Sequence, residues 1–223
     1  GRTAPPGIAH RNGRCDLPRY ICGAVKNPVW SRKRGFCGDM LWRLAPLQYI
    51  SHYPSPLGDI LMAADAVGLT GLWFEGQKYF ALSLDKEHAE KEIPLFEKAK
   101  RWLAIYFSGR EPDFAVPLHC TGTAFQNAVW AILCTIPYGQ TMTYGAIAEK
   151  LALQKGLPRM SAQAVGGAVG HNAISILVPC HRVVGTNGSL TGYAGGMDRK
   201  IRLLQLEKAD MHSLFVPGNG TAP

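Results

Sequence analysis

The sequence predicts a mixed α/β protein of the α+β kind, in which a small strand-containing domain precedes a mainly helical one. Apolar residues alternate through positions 47–75 and are bounded by Pro and Gly, as in antiparallel strands. Residues 91–107 show apolar positions at helical spacing. Further along, Thr123, Thr143 and Ser161 each precede a helical apolar pattern.

In the first half, the segments "LQYISHY", "DILMAAD" and "LTGLWF" predict three consecutive strands, separated by "PSPLG" and "AVG". The helix predicted over 91–107 has an inner face at i, i+3 and i+4 spacing, made of Phe96, Ala99, Leu103 and Phe107. The Pro-containing stretch "SGREPDFAVPLHC" then predicts a linker, with a domain boundary near residue 118.

In the second half, Thr123 and Gln126 predict a capping box for a helix over 124–136. The buried side of that helix is predicted to contain Phe125, Val129, Ile132 and Ile136. Two short helices then flank "QKGLPRM", a pattern typical of a helix-turn-helix but also of generic helical hairpins. Asn187-Gly188 predicts a β-hairpin turn, and residues 197–209 predict a final helix.

The predicted organisation is a basic, irregular extension over 1–45, an α/β domain over 46–117, a C-terminal domain over 118–208 and a frayed tail over 209–223. Lys and Arg outnumber Asp and Glu by nine to two in 1–45 and by eight to three in 121–208, whereas residues 46–120 have seven against ten. The basic C-terminal half fits either a polyanionic partner or ordinary surface charge. No apolar run reaches the roughly 20 residues of a membrane helix, so we expect a soluble protein without a membrane partner.

The Arg-rich, acid-poor extension is compatible with an organellar presequence or with upstream read-through before Met40. Six cysteines occur without any CxxC pair, which disfavours a zinc module or a dense disulfide framework. We therefore expect free thiols in a reducing cytoplasm, with Cys134 in the core. A metal site in the extension is the weaker alternative; it would use His10, Cys15, Cys22 and Cys37.

The stretch "ILVPCHRVVG" places Cys180, His181 and Arg182 in a row within an apolar run. A nucleophilic cysteine needs a nearby base or positive charge to form its thiolate. Neighbouring side chains of an extended backbone point to opposite faces, so His181 is expected to act through a bridging water or local backbone curvature. A structural cysteine beside a surface histidine is the other interpretation. The carboxylates able to orient the imidazole are Glu149, Asp198 and Glu207.

Three glycines, Gly166, Gly167 and Gly170, lie within one predicted helix, where each costs about 1 kcal/mol relative to Ala. They indicate either tight packing between helices or close approach to another backbone, including that of DNA.

Together, "ILVPCHRVVG", "GSLTGYAGG" and "RKIRLLQLE" resemble the O6-alkylguanine-DNA alkyltransferases, also called methylated-DNA–protein-cysteine methyltransferases. The pattern PCHRV is the active-site signature of that family. The resemblance continues upstream in "PYGQTMTYGAIA" and "AVGGAVGHN", and in "SPLGDILMAADAVGLTGLWFEGQK", which is similar to the bacterial members. It covers roughly residues 47–208.

The resemblance implies a ribonuclease H-like three-stranded sheet with a helix, followed by a domain whose helix-turn-helix enters the minor groove of double-stranded DNA. It implies DNA repair by direct reversal: a flipped-out O6-alkylguanine, and possibly O4-alkylthymine, transfers its alkyl group irreversibly to a cysteine, once per molecule. No metal or cofactor is implied, nor an obligate protein partner, and the protein would be a monomer. The expected location is the cytoplasm, on the nucleoid in a bacterium, or an organelle or the nucleus if the extension is a targeting segment.

For the chemistry, the resemblance implies that Cys180 is the alkyl acceptor, that His181 is a water-relayed base and that Glu207 is its acidic partner. Asn172 corresponds to the asparagine that ties the recognition helix to the active-site loop. Tyr193 corresponds to the pocket tyrosine that contacts the flipped guanine.

For DNA binding, the resemblance implies that Tyr144 pushes the target phosphate during flipping and that Arg182 is structural rather than catalytic. The remaining residues expected on the DNA side are Ser161, Gly166 and Gly167. Gln163 departs from the family, because an arginine that fills the gap left by the flipped base usually stands there. We expect weaker DNA binding or slower flipping with intact chemistry, since glutamine can bind the orphaned cytosine without charge.

Two other functions fit parts of the pattern. A non-reacting lesion-binding protein on the same scaffold would lack the cysteine, which is present here. A Cys-His-acid hydrolase would turn over an ester or peptide without DNA, and the glycine-rich helix and the basic half argue against it.

Overall fold

A computed structural model of the chain describes residues 48–218, so the predictions for 1–45 concern residues outside the described part. The N-terminal half contains β1 (Gln48–Ser55), β2 (Gly58–Ala64), β3 (Leu69–Phe74), β4 (His88–Glu90) and α1 (Pro94–Phe107). The strand order is β3-β2-β1-β4, antiparallel except for the parallel pair β1–β4. The sheet therefore has four strands where the resemblance implied three, because the weakly β-forming "HAE" is held by pairing with Gln48–Ile50.

Helix α1 begins at Pro94 rather than at residue 91, because Pro suits the first helical position, where no N–H donor is needed. Its inner face contains Phe96, Ala99 and Leu103 as predicted, but the next buried residue is Tyr106 and not Phe107. Both spacings fit a helix. The difference places a phenol rather than a phenyl ring in the interior.

The C-terminal half begins with α2 (Ala124–Leu133), whose predicted capping box is confirmed by reciprocal hydrogen bonds between Thr123 and Gln126. The buried side of α2 includes Val129 and Ile132, whereas Phe125 is only partly buried. The predicted caps Thr143 and Ser161 are also confirmed. They precede α3 (Tyr144–Gln154) and α4 (Ala162–Gly170), which pack against each other and against α2.

The predicted hairpin at Asn187-Gly188 is wrong. The turn itself forms, with Gly185 N donating to Ser189 O at 2.7 Å, but its flanks pair elsewhere. Strand β6 (Val183–Val184) pairs in parallel with β5 (Met142–Thr143). Ser189 bridges to Phe215, so part of the predicted tail is paired with the loop. Long-range partners have replaced the local ladder that the β-forming residues favoured.

The last helix, α5 (Met197–Leu206), ends at Leu206, with Glu207 as its C-cap, rather than at residue 209. The two halves share one core: Leu72 N on β3 donates to Ala173 O at 2.8 Å, and Ser175 N donates to Leu72 O at 2.9 Å. The loop ahead of Cys180 is thereby fixed against the sheet. Within residues 48–218, every helix is too short or too polar to traverse a lipid bilayer.

Candidate active site around Cys180

Cys180 is the first residue of a 3₁₀ turn, Cys180–Arg182, and does not lie in extended backbone. It is 3 % exposed. The side-chain amide of Asn172 donates to Sγ at 3.0 Å. Burial raises the pKa of Cys180, while the Asn172 hydrogen bond and the charge of Lys200 act in the opposite direction. The thiol is therefore protonated at neutral pH, with a donor already directed at the anion that forms when it ionises.

Asn172 lies just beyond the end of α4 and joins that helix to the loop before the thiol. Its Nδ2 donates to Val178 O at 2.9 Å, and its Oδ1 accepts from Ile174 N at 3.0 Å. The same amide group thus holds the loop backbone and the sulfur atom. Asn172 therefore links the end of α4 to the Cys180 loop.

His181 is fully buried, and its Nε2 is 2.7 Å from Oε1 of Glu207. Because a carboxylate only accepts, Nε2 carries the proton and Nδ1 presents a lone pair. No protein group among residues 48–218 hydrogen-bonds to Nδ1. Burial lowers the pKa of His181 and Glu207 raises it, so the ring is a neutral base supported by a carboxylate.

Glu207 caps the end of α5 and is 2 % exposed. Its carboxylate accepts from Arg182 through Nε at 2.9 Å and Nη2 at 3.0 Å, from Gly139 N at 3.1 Å, and from the hydroxyl of Tyr106 at 2.6 Å. Burial would raise the pKa of Glu207, but hydrogen bonds and charge from His181 and Arg182 hold it far below its ordinary value. The carboxylate stays ionised throughout the physiological range.

The structure resolves which acid meets His181. Glu149 and Asp198 are exposed on α3 and α5, while Glu207 contacts the imidazole. Arg182 also donates to Ile136 O at 2.6 Å, which anchors it between the carboxylate and the end of α2. This arrangement agrees with a structural contribution of Arg182 to the site.

Sequence reasoning missed Tyr106 and Lys200. Lys200 is buried, and its Nζ donates to Val183 O at 2.6 Å and to Thr191 O at 2.8 Å. Burial lowers its pKa to about 8. The signal was present, because Lys200 lies three, four and seven residues before Leu203, Leu204 and Glu207, on the same helical face.

Two tyrosines border the thiol. The ring of Tyr193 meets that of His181 edge to face, with centroids 6.5 Å apart, and burial followed by the charge of Cys180 raises its pKa well above the ordinary value. The hydroxyl of Tyr144 donates to Thr191 O at 3.3 Å, and burial raises its pKa to about 12. Tyr144 therefore contacts the loop that carries Tyr193.

The N-terminal part of α4 is open. Ser161, Gln163 and Gly167 are exposed, and a Cβ added at Gly167 would meet no atom within 4 Å. At Gly166 the nearest atom is on the Tyr144 ring, at an ordinary contact distance of 3.8 Å. Among residues 48–218, no packing contact requires glycine at these two positions.

Across residues 48–218, no group of three or more His, Cys, Asp or Glu side chains is arranged to hold a metal ion. The chemistry offered by the described residues is that of a buried thiol, an amide donor and a carboxylate-supported imidazole. Such a site can deliver a soft nucleophile to an electrophilic carbon.

Two family models cover most of the chain. The model described as the ribonuclease-like domain of 6-O-methylguanine DNA methyltransferase matches residues 48–120, and the model of its DNA binding domain matches residues 124–209. The methylated-DNA–protein-cysteine methyltransferase of Haemophilus influenzae is 44 % identical over 161 residues, 72 % of this chain and 86 % of the relative. That of Methanosarcina acetivorans is 46 % identical over 160 residues, 71 % and 97 % of the two chains.

Solved structures of 6-O-methylguanine methyltransferases are similar to this chain in both sequence and fold. The Mycobacterium tuberculosis O6-methylguanine methyltransferase superposes with a TM-score of 0.63 at 42 % identity, covering 73 % of this chain and 93 % of that one. The Mycobacterium tuberculosis OGT in complex with DNA gives a TM-score of 0.62 at 41 % identity, covering 72 % and 92 %.

Proposed function

The chain belongs to the 6-O-methylguanine DNA methyltransferase family, and on that premise we propose that Cys180 is the residue that accepts the alkyl group. The protein repairs DNA by transferring an alkyl group to a protein cysteine. Three cysteines fall within residues 48–218, at 120, 134 and 180. The observation that favours Cys180 is the Asn172 amide 3.0 Å from its Sγ, together with its place directly before His181, whose ring is hydrogen-bonded to Glu207.

The proposed reaction begins when the thiol proton passes through a bridging water to Nδ1 of His181. Glu207 and its hydrogen bond to Nε2 stabilise the imidazolium that results. The sulfur anion attacks the alkyl carbon, a thioether bond forms, and the bond from carbon to O6 breaks with its electron pair going to guanine. The departing purine takes a proton from a pocket donor, for which Tyr193 is the proposed group.

We also propose that α4 enters the minor groove of duplex DNA and that the lesion is flipped into the pocket beside Cys180. The exposed first turn of α4 and its open glycine face support this. The excess of basic residues in the C-terminal half supports a polyanionic partner. A monomer acting without a protein partner, in the cytoplasm, completes the proposal.

The decisive experiment is to incubate the protein with a duplex oligonucleotide that carries one O6-methylguanine and to analyse its peptides by mass spectrometry. We expect one added methyl group, on the peptide that contains Cys180. The Cys180→Ala variant should gain none and should bind the duplex with nearly unchanged affinity. Methylation at Cys120 or Cys134 would overturn the assignment, and tight binding without methylation would favour a lesion-binding protein.

A further inference from the structure

Tyr106 brings the N-terminal domain into the candidate active site. It lies on α1, within the ribonuclease-like region, yet its hydroxyl donates to Oε1 of Glu207 at 2.6 Å, 101 residues further along the chain. The same hydroxyl lies 3.4 Å from Nε2 of His181. Because Nε2–H and the phenol both point to Oε1, the phenol and the imidazole are competing donors rather than partners of each other.

Oε1 is crowded. It faces three donors, the Tyr106 hydroxyl, Nε2 of His181 at 2.7 Å and Nη2 of Arg182 at 3.0 Å, whereas a carboxylate oxygen has two lone-pair directions. Each donor therefore reduces the negative charge that the others experience. Burial and the charge of Glu207 raise the pKa of Tyr106 well above its ordinary value, so the phenol remains protonated and keeps donating.

The ring of Tyr106 is held in place. It stacks on Trp102 of α1 with centroids 5.3 Å apart, and meets Tyr138 edge to face at 6.1 Å. Tyr106 is fully buried. The hydroxyl is thus aimed at Oε1 by packing, which makes the contact a fixed part of the site rather than one rotamer among several.

We propose that Tyr106 is a positioning residue for alkyl transfer, whose hydroxyl shares Oε1 of Glu207 with His181 and thereby limits how strongly the carboxylate supports the imidazole. This inference rests on the proposed function of the Cys180 site. Through Tyr106, the N-terminal domain adjusts the base that activates the thiol. A residue that only fills space at this position would have no such effect on His181.

The groups that face His181 come from every surrounding element. They are Lys200 on α5, Glu207 at the end of α5, Tyr193 in the loop before α5, Tyr106 on α1, and Cys180 and Arg182 on the same turn as His181. Removing the phenol hydroxyl leaves the other five in place. Glu207 then stabilises the imidazolium more strongly, so protonation of His181 should occur at higher pH.

The test is Tyr106→Phe, read by NMR titration of the His181 ring in DNA-free protein and by the pH dependence of single-turnover methyl transfer. We expect the His181 titration and the acid limb of the rate profile to move upward by roughly 0.5 to 1 pH unit, with duplex affinity unchanged. The matched control is Tyr138→Phe, because Tyr138 donates to Leu206 O, not to the carboxylate. It should leave both profiles in place.

Site-specific 3-fluorotyrosine at position 106 provides a second probe that preserves packing, and covers the case in which the Phe variant folds poorly. Its more acidic hydroxyl is a stronger donor, so both profiles should move to lower pH. Unmoved profiles in both variants, or shifts of the same sign, would overturn the inference. Absence of methyl transfer to Cys180 in the unmodified protein would instead overturn the proposed function, and the NMR titration would still report on Tyr106.

Discussion

The proposed catalytic cluster, defined as Tyr106, Cys180, His181, Arg182 and Glu207, contrasts with the open face of α4. In the cluster, side chains from α1, the Cys180 turn and the end of α5 converge, and the carboxylate accepts five hydrogen bonds. On the open face, Ser161, Gln163 and Gly167 are exposed, and no atom lies within 4 Å of a Cβ built at Gly167.

The contrast matches the roles that we propose for the two regions. Alkyl transfer requires a base and a nucleophile held within a few tenths of an ångström, so each polar atom needs a defined partner. A DNA-facing surface obtains its partners only when the duplex binds, and contacts with phosphates set orientation more than chemistry. We therefore expect substitution to be costly in the cluster and mild on α4, where the resemblance implies that Gln163 replaces an arginine.

The largest effect expected is on folding, from Arg182→Ala. This change leaves the buried carboxylate of Glu207 without two of its hydrogen bonds and without its compensating charge. We expect a loss of about 3 to 5 kcal/mol in the free energy of unfolding, measured by urea denaturation. Arg202→Ala, an exposed change on α5, is the control and should cost less than about 0.5 kcal/mol. Similar losses of unfolding free energy in the two variants would show that the cluster is no more sensitive to substitution than the exposed surface.

The second-largest effect is expected on folding stability at low pH. The pKa of Glu207 in the folded protein lies far below its ordinary value of 4.5. The stability that it contributes is therefore complete above about pH 4.5 and is lost as the pH falls toward the folded-state pKa. The unmodified protein should lose stability between about pH 5 and pH 3 more steeply than Glu207→Gln, with circular dichroism as the measure. Parallel curves would show that the carboxylate is not stabilised by folding.

A smaller effect is expected on the ionisation of the Cys180 thiol and on the rate of methyl transfer. Asn172→Ala removes the donor 3.0 Å from Sγ, so the pKa of Cys180, which burial already raises, should rise further. Methyl transfer at pH 7 should slow by roughly tenfold, and the loss should shrink as the pH increases. Asn127→Ala is the control, since the Asn127 amide donates to Gly122 O and not to the thiol. A rate defect independent of pH would indicate a loop displaced as a whole.

The smallest effect is expected on the open face. Gln163→Arg adds a cation to the exposed first turn of α4 and should steepen the dependence of log Kd on log salt by about 0.9. The chemical step that follows flipping should stay the same, because no contact of the proposed catalytic cluster changes. Gln205→Arg, exposed on α5, adds the same charge elsewhere and should leave the salt slope nearly unchanged. Equal slopes for the two variants would place Gln163 away from DNA.

Sequence reasoning succeeded where an element depends on its own neighbours. The caps Thr123, Thr143 and Ser161 are confirmed because each bonds to a backbone N–H three residues ahead. The strands β1, β2 and β3 follow from alternation and their bounding turns. Cys180 and its neighbour His181 stood out as polar residues in an apolar run, and the reactivity of Cys180 stays a prediction.

What required the tertiary structure is everything that depends on distant partners. β4 forms because it pairs with β1. Val183–Val184 pairs with Met142–Thr143 instead of forming the hairpin that Asn187-Gly188 predicted. The choice of Glu207 over Glu149 and Asp198 was decided by packing within the C-terminal domain, and the contact from Tyr106 on α1 by packing between the two domains. A capping bond spans three residues, whereas these contacts span 26 to 101, and only the folded core brings such positions together.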